Sequence, residues 1–155
     1  MPRLLSSVHL AAPLPDVFPF FADARNLEAL TPPWLHFEIS NPSPIEMRTG
    51  TLIDYRLRVH GLPLRWRSEI TAWDPPHRFV DEQRRGPYRA WRHEHRFTAE
   101  GGGTLVEDDV TYAVLGGAIV DRLLVRRDLQ RIFAFRREAL RAVFPTRSGT
   151  SPGSS

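Results

Sequence analysis

Residues 88–97 read YRAWRHEHRF, and the order of their side chains decides the fold. Every second residue from Trp91 gives Trp91, His93, His95 and Phe97, while Arg92, Glu94 and Arg96 fall between them. Successive side chains of a strand point to opposite faces. One face of this strand therefore carries two aromatics and two imidazoles, and the other is fully charged. A charged face belongs in water, so the histidines sit on the side that should be buried.

The same two-residue period extends to both sides. Upstream, Ile53, Tyr55, Leu57 and Val59 alternate with Asp54, Arg56, Arg58 and His60. Leu64, Trp66, Ser68 and Ile70 alternate with Arg65, Arg67, Glu69 and Thr71, and Phe79, Asp81 and Gln83 with Arg78, Val80, Glu82 and Arg84. Downstream, Val106, Asp108, Val110 and Tyr112 oppose Glu107, Asp109 and Thr111. His60-Gly61, Asp74-Pro75-Pro76, Gly86-Pro87 and Gly101-Gly102-Gly103 supply the turns. This describes an antiparallel meander with one wet face. Residues 3–10 add a first strand and 36–40 a short one. Between these two strands the spacing predicts small helices near Asp16–Ala22 and Arg25–Leu30, the second stopped by Pro32 and Pro33.

After Gly116-Gly117 the period becomes helical to about Phe144, with Val125, Leu129, Ile132, Phe133, Leu140 and Val143 on one stripe. A one-sided sheet and one long amphipathic helix bury both apolar faces by packing together. The expected class is therefore α+β: seven antiparallel strands around a C-terminal helix, with two short helices after the first strand.

With 155 residues, the chain suits one domain, expected over residues 1–144, followed by a disordered tail over 145–155 that lacks apolar residues. There is no cysteine, which excludes disulfides and thiolate chemistry. No segment approaches the roughly 20 apolar residues of a membrane span, and the N-terminal run is too short and broken for a signal peptide; the expected location is the cytoplasm. The net charge is +3 and every basic residue other than histidine is arginine.

The face turned to the helix also holds Ser68, Asp81, Gln83, His93, His95 and Asp108, and Arg136 falls near the centre of the helix stripe. An unpartnered buried polar group costs roughly 1–3 kcal/mol. Either these groups pair among themselves as buried ion pairs, or they line a cavity. The cavity is the favoured reading, because sheet and helix both contribute inward polar groups. Its aromatic and aliphatic lining would be Tyr55, Trp66, Phe79, Trp91, Phe97, Tyr112, Leu129 and Phe133. Asp81, Gln83, His93, His95, Asp108 and Arg136 would orient the polar end of a ligand.

The phrases LTPPWLHFEI, GTLIDYRLRVHGLPLRWRSEITAWDPPHRFVDEQRRGPYRAWRHEHRF, GGGT-LVEDDVTY and RIFAFRREAL resemble the START/Bet v 1-like superfamily, also called the SRPBCC or polyketide cyclase/dehydrase-like group. They look closest to its small bacterial single-domain members. The resemblance implies a helix-grip fold: a curved sheet wrapped around the last helix with an internal cavity between them. It also implies binding of hydrophobic small molecules such as lipids or polyketides. It brings no shared catalytic signature.

The expected function is carriage or sensing of a small, mainly apolar molecule without a cofactor. A cyclase or dehydratase using His93, His95 and Asp81 as acid–base groups is the alternative. His-x-His is too common in strands to argue for a metal, and none is expected. The outer arginines could track phosphates, as in a ribosome- or RNA-associated protein, but acidic residues share that face and no exposed aromatics accompany them. A helix buried in its own sheet leaves no evident apolar surface, so a monomer or weak homodimer is expected.

Overall fold

The structure is a computed structural model that describes residues 1–42 and 44–145; most of the tail expected to be disordered lies outside the described residues. Seven strands form one curved antiparallel sheet: β1 (Arg3–Leu10), β2 (Glu38–Ile39), β3 (Leu52–Val59), β4 (Leu62–Asp74), β5 (Arg78–Arg85), β6 (Ala90–Glu100) and β7 (Gly103–Ala113). Their order is β1-β7-β6-β5-β4-β3-β2, so the chain meanders from β2 to β7 and β1 closes the far edge. Helices α1 (Leu14–Ala22) and α2 (Leu27–Leu30) follow β1. A last helical run over 117–143 is made of α3 (Gly117–Val120), one π-helical stretch (Asp121–Val125) and α4 (Arg126–Val143).

The turns follow from residues that tolerate positive φ. His60 and Gly61 (φ 50° and 80°) close β3 onto β4, and Gly101 and Gly102 (58° and 80°) close β6 onto β7.

Three details depart from simple periodicity, the first a register shift between Arg67 and Ser68 that leaves an extra residue in β5. A register shift between Ile70 and Ala72 places one extra residue in β4. Ile70 and Trp73 therefore both turn inward, and Trp73 packs on Phe18 and Phe79 at 5.4 Å each. The last helix is also not a uniform α-helix. Its π-helical stretch begins at buried Asp121, whose Oδ1 accepts a 2.6 Å hydrogen bond from the Tyr112 hydroxyl.

On α4 the buried positions are Leu129, Phe133, Arg136 and Leu140, with Ile132, and Val125 just before the helix, half-buried. Val143, expected on the stripe, is exposed because it lies in the last turn. The core divides in two. Phe18, Phe21, Phe79, Phe97 and Leu140 belong to one cluster, and Val110, Tyr112, Leu129 and Phe133 to the other.

The expectation that no apolar surface is left over is corrected. Leu115, Ile119, Leu123 and Leu124 are each 60% or more exposed where the last helix begins. On the outer sheet face, arginines meet carboxylates, as in Arg67–Asp54 (2.7 Å) and Arg84–Glu69 (3.2 Å). No helix among the described residues is long and apolar enough to cross a membrane.

Candidate functional site

Between sheet and helix lies a cavity of about 690 Å³, within the usual range of small-molecule sites, roughly 300–1,000 Å³. Its aromatic wall comes from adjacent strands. Tyr55 on β3 stacks on Trp66 of β4 at 5.7 Å, their backbones being directly paired. Trp66 in turn meets Trp91 of β6 edge-on at 5.3 Å and Tyr88 at 5.5 Å. Leu129 and Phe133 of α4 face this wall across the cavity. Elsewhere on the lining, His60 bonds Asp128 at 2.8 Å, joining the β3–β4 turn to the helix, and Arg131 lies over the Trp34 ring.

The polar groups lie where the two core clusters meet. His95 stacks on Phe79 (4.0 Å) and on His93 (3.6 Å), and His93 meets Phe133 edge-on. Backbone register sets Asp81 opposite His93 and His95 opposite Asp108. The side chains cross that register: His95 Nε2 lies 2.6 Å from Asp81 Oδ2, and His93 Nε2 lies 2.8 Å from Asp108 Oδ1. From α4, Arg136 donates through Nε (3.1 Å) and Nη2 (3.2 Å) to the two Asp108 oxygens, and through Nη2 to His95 Nδ1 at 3.3 Å.

These bonds fix one tautomer. Guanidinium only donates, so His95 Nδ1 accepts and its proton resides on Nε2, directed at Asp81. Burial pushes the His95 pKa down to about 4, with the neighbouring His93 acting in the same direction and Asp81 opposing. His95 is therefore neutral at pH 7. Burial would raise the Asp108 carboxyl, but Arg136 and the two histidines outweigh it and hold it well below the usual range. The Asp81 carboxyl is likewise lowered, its burial outweighed by the His95 hydrogen bond and the nearby positive charges. Both carboxylates are ionised at neutral pH.

Both readings of the inward polar groups thus hold at once: they pair with one another, and several of them form the cavity wall. Tyr55, Trp66, Phe79, Asp81, Trp91, His93, His95, Leu129, Phe133 and Arg136 line the cavity. Four expected residues do not. Phe97 packs into the first core cluster against Phe18 and Phe21. Tyr112 is committed to Asp121. Gln83 clamps the β5–β6 loop, donating to the Tyr88 carbonyl and accepting from its N–H. Asp108 lies behind the wall, holding Arg136 and His93.

Ser68 is a lining residue that the sequence marked only as an inward polar group. Its hydroxyl accepts from Trp66 Nε1 at 3.0 Å and lies 3.4 Å from the Tyr55 hydroxyl. Tyr88 and Trp34 also line the cavity. Both stand on irregular segments where neither period applies, so only their aromatic character signalled them.

Asp81, His93 and His95 bring their donor atoms within 4.8 Å of one another, close enough to surround a cation. A metal on His95 Nε2 would require the proton to move to Nδ1, against the Arg136 donor. The donor set is better matched to hydrogen bonding than to coordination.

A curved antiparallel sheet gripping a C-terminal helix around an aromatic cavity defines the helix-grip class of ligand-cavity domains. The family model for polyketide cyclase/dehydrase and lipid transport proteins matches residues 1–145, and the chain belongs to that family. Protein CV1439 from Chromobacterium violaceum has a similar fold (TM-score 0.74, 13% identity, 93% of this chain and 98% of that one). So does protein Ms6760 from Mycobacterium smegmatis (TM-score 0.69, 23% identity, 91% and 89%). Major latex-like protein 151 from Panax ginseng, a Bet v 1-like protein, aligns with TM-score 0.70 at 12% identity over 92% and 97% of the two chains. At these identities the likeness is one of fold. A search of curated proteins finds no match.

Proposed function

We propose that the protein binds a small hydrophobic molecule in its internal cavity, as a carrier or sensor. The observation that carries this reading is the cavity itself: about 690 Å³ of space bounded by aromatic rings, with Asp81, His93, His95 and Arg136 on its wall. A core evolved only for stability packs such space with side chains, because each unfilled volume costs free energy. Family membership supports the same class of role, since lipid transport is among the activities that the family's description names. The test is uptake of the neutral dye N-phenyl-1-naphthylamine. Trp66 and Trp91 are within the cavity wall, so bound dye quenches tryptophan emission and brightens by energy transfer. Saturable 1:1 uptake supports the proposal; the absence of any signal up to millimolar dye contradicts it.

A cyclase or dehydratase is the second reading. It is favoured by the His95–Asp81 contact at the cavity wall, and its test is turnover of a poly-ketone lost in His95→Gln.

A further inference from the structure

The charges around the cavity's polar end are unequal, and the imbalance selects a ligand. Arg136 is the cation there, and its Nε and Nη2 are already given to Asp108 and His95. Only Nη1 has no partner among the described residues, and the guanidinium charge is matched by Asp108 at 3.1 Å. Asp81 is a second carboxylate in the same cluster, and among the described residues it pairs with histidines and with no arginine. Its Oδ2 takes the His95 proton, while Oδ1 accepts no hydrogen bond from the described residues. The Asp81 side chain keeps 18% of its surface, on the cavity lining, and no buried side-chain oxygen among the described residues lacks a partner. Oδ1 is therefore an open acceptor facing the space where a ligand would lie.

Resting on the reading of the cavity as a ligand site, we infer that its ligand presents a hydrogen-bond donor to Asp81, with a protonated alkyl amine fitting best and a carboxylate poorly. The ionised state of Asp81 supports this. An ammonium group would gain a charge-assisted bond to Oδ1 and the faces of the neighbouring rings, with Trp66, Phe79 and Trp91 all on the lining. A carboxylate would meet the like charge of Asp81 in a partly dry site, and Arg136, whose charge Asp108 already matches, would offer it Nη1 alone. Elsewhere on the lining, Arg131 is accompanied by Asp23 and Asp128, so that part offers no excess of positive charge either.

The test uses the full chain and three probes sharing one apolar body: 2-naphthylmethylamine, 2-naphthalenemethanol and 2-naphthoic acid. Affinities are measured by calorimetry at pH 7.5 in low salt. The expected order is amine, alcohol, acid, with the acid at least tenfold weaker than the amine. Asp81→Asn, which keeps an oxygen for the His95 proton, should weaken the amine at least fivefold and the alcohol less than twofold. An acid that binds as well as the amine overturns the inference and leaves the cavity reading standing. So does failure of all three probes while N-phenyl-1-naphthylamine still binds. Failure of all four compounds rejects the cavity reading itself. Should Asp81→Asn not fold, the order of the three probes on the unaltered protein decides.

Discussion

Replacing Arg136 by leucine removes the guanidinium that pairs with Asp108 in the interior, both side chains being less than a tenth exposed. At 3.1 Å and an effective dielectric constant of about 20, their attraction is about 5 kcal/mol. Leucine returns part of this through apolar burial, and Asp108 keeps its bond from His93. Loss of one partner from a buried ion pair costs about 3–5 kcal/mol, and the lower end applies here. At about 2–4 °C per kcal/mol for a chain of this size, Arg136→Leu should melt about 6–12 °C lower at pH 7. The assay is thermal unfolding followed by circular dichroism, with urea titration at 25 °C as a check. Asp108→Leu combined with Arg136→Leu should recover most of the loss, since the uncompensated carboxylate is then gone. A melting temperature within 2 °C of the parent in Arg136→Leu would refute the reasoning. So would a double variant no more stable than Arg136→Leu alone.

Because His95 titrates near 4 when folded and near 6.5 when unfolded, protons bind the unfolded chain first as the solution is acidified. Stability should fall by about 3 kcal/mol between pH 6.5 and 4, then further below pH 4 as Asp81 and Asp108 protonate. His95→Gln should flatten the first part of that slope in urea titrations, and an unchanged slope would contradict the assignment. Leu64→Trp, at a half-buried lining position, should abolish uptake of N-phenyl-1-naphthylamine while shifting the melting temperature by less than 5 °C. Tyr112→Phe removes the 2.6 Å bond to Asp121 and should cost about 1–3 kcal/mol. Hydrogen exchange of residues 117–125 should then accelerate relative to α4, and uniform protection would show that the bond does not hold that segment.

The fold was legible because its signals are local and repeated. A two-residue period from Ile53 to Tyr112, broken by Gly and Pro pairs, and a helical stripe through Leu129 and Phe133 admit few arrangements. The bulge at Ile70–Ala72 and the π-helical stretch at Asp121 were not legible, since each answers to a side-chain contact, Trp73 on Phe18 and Asp121 with Tyr112, that neither period encodes. The site was legible in outline. Alternation put Asp81, His93, His95 and Trp91 on one face, and they do lie together. Which of the inward residues touches open space depends on how neighbouring strands and α4 fill the volume. Phe97 and Tyr112 have the same periodicity as Trp91, yet one packs against Phe18 and the other reaches Asp121. Arg136 was marked as misplaced, but its bond to Asp108 joins residues 28 apart in the chain.

Native mass spectrometry of freshly purified protein, repeated after denaturation, tests the ligand cavity most directly. A mass excess of a few hundred daltons that disappears on denaturation is the expected result, corresponding to one organic molecule in a space of about 690 Å³. Incubation with 2-naphthylmethylamine should add or exchange one equivalent. A bare chain that takes up neither that amine nor N-phenyl-1-naphthylamine would contradict the account and leave the His–Asp–Arg cluster as a purely structural one. An excess equal to a single metal ion would instead make Asp81, His93 and His95 a metal centre.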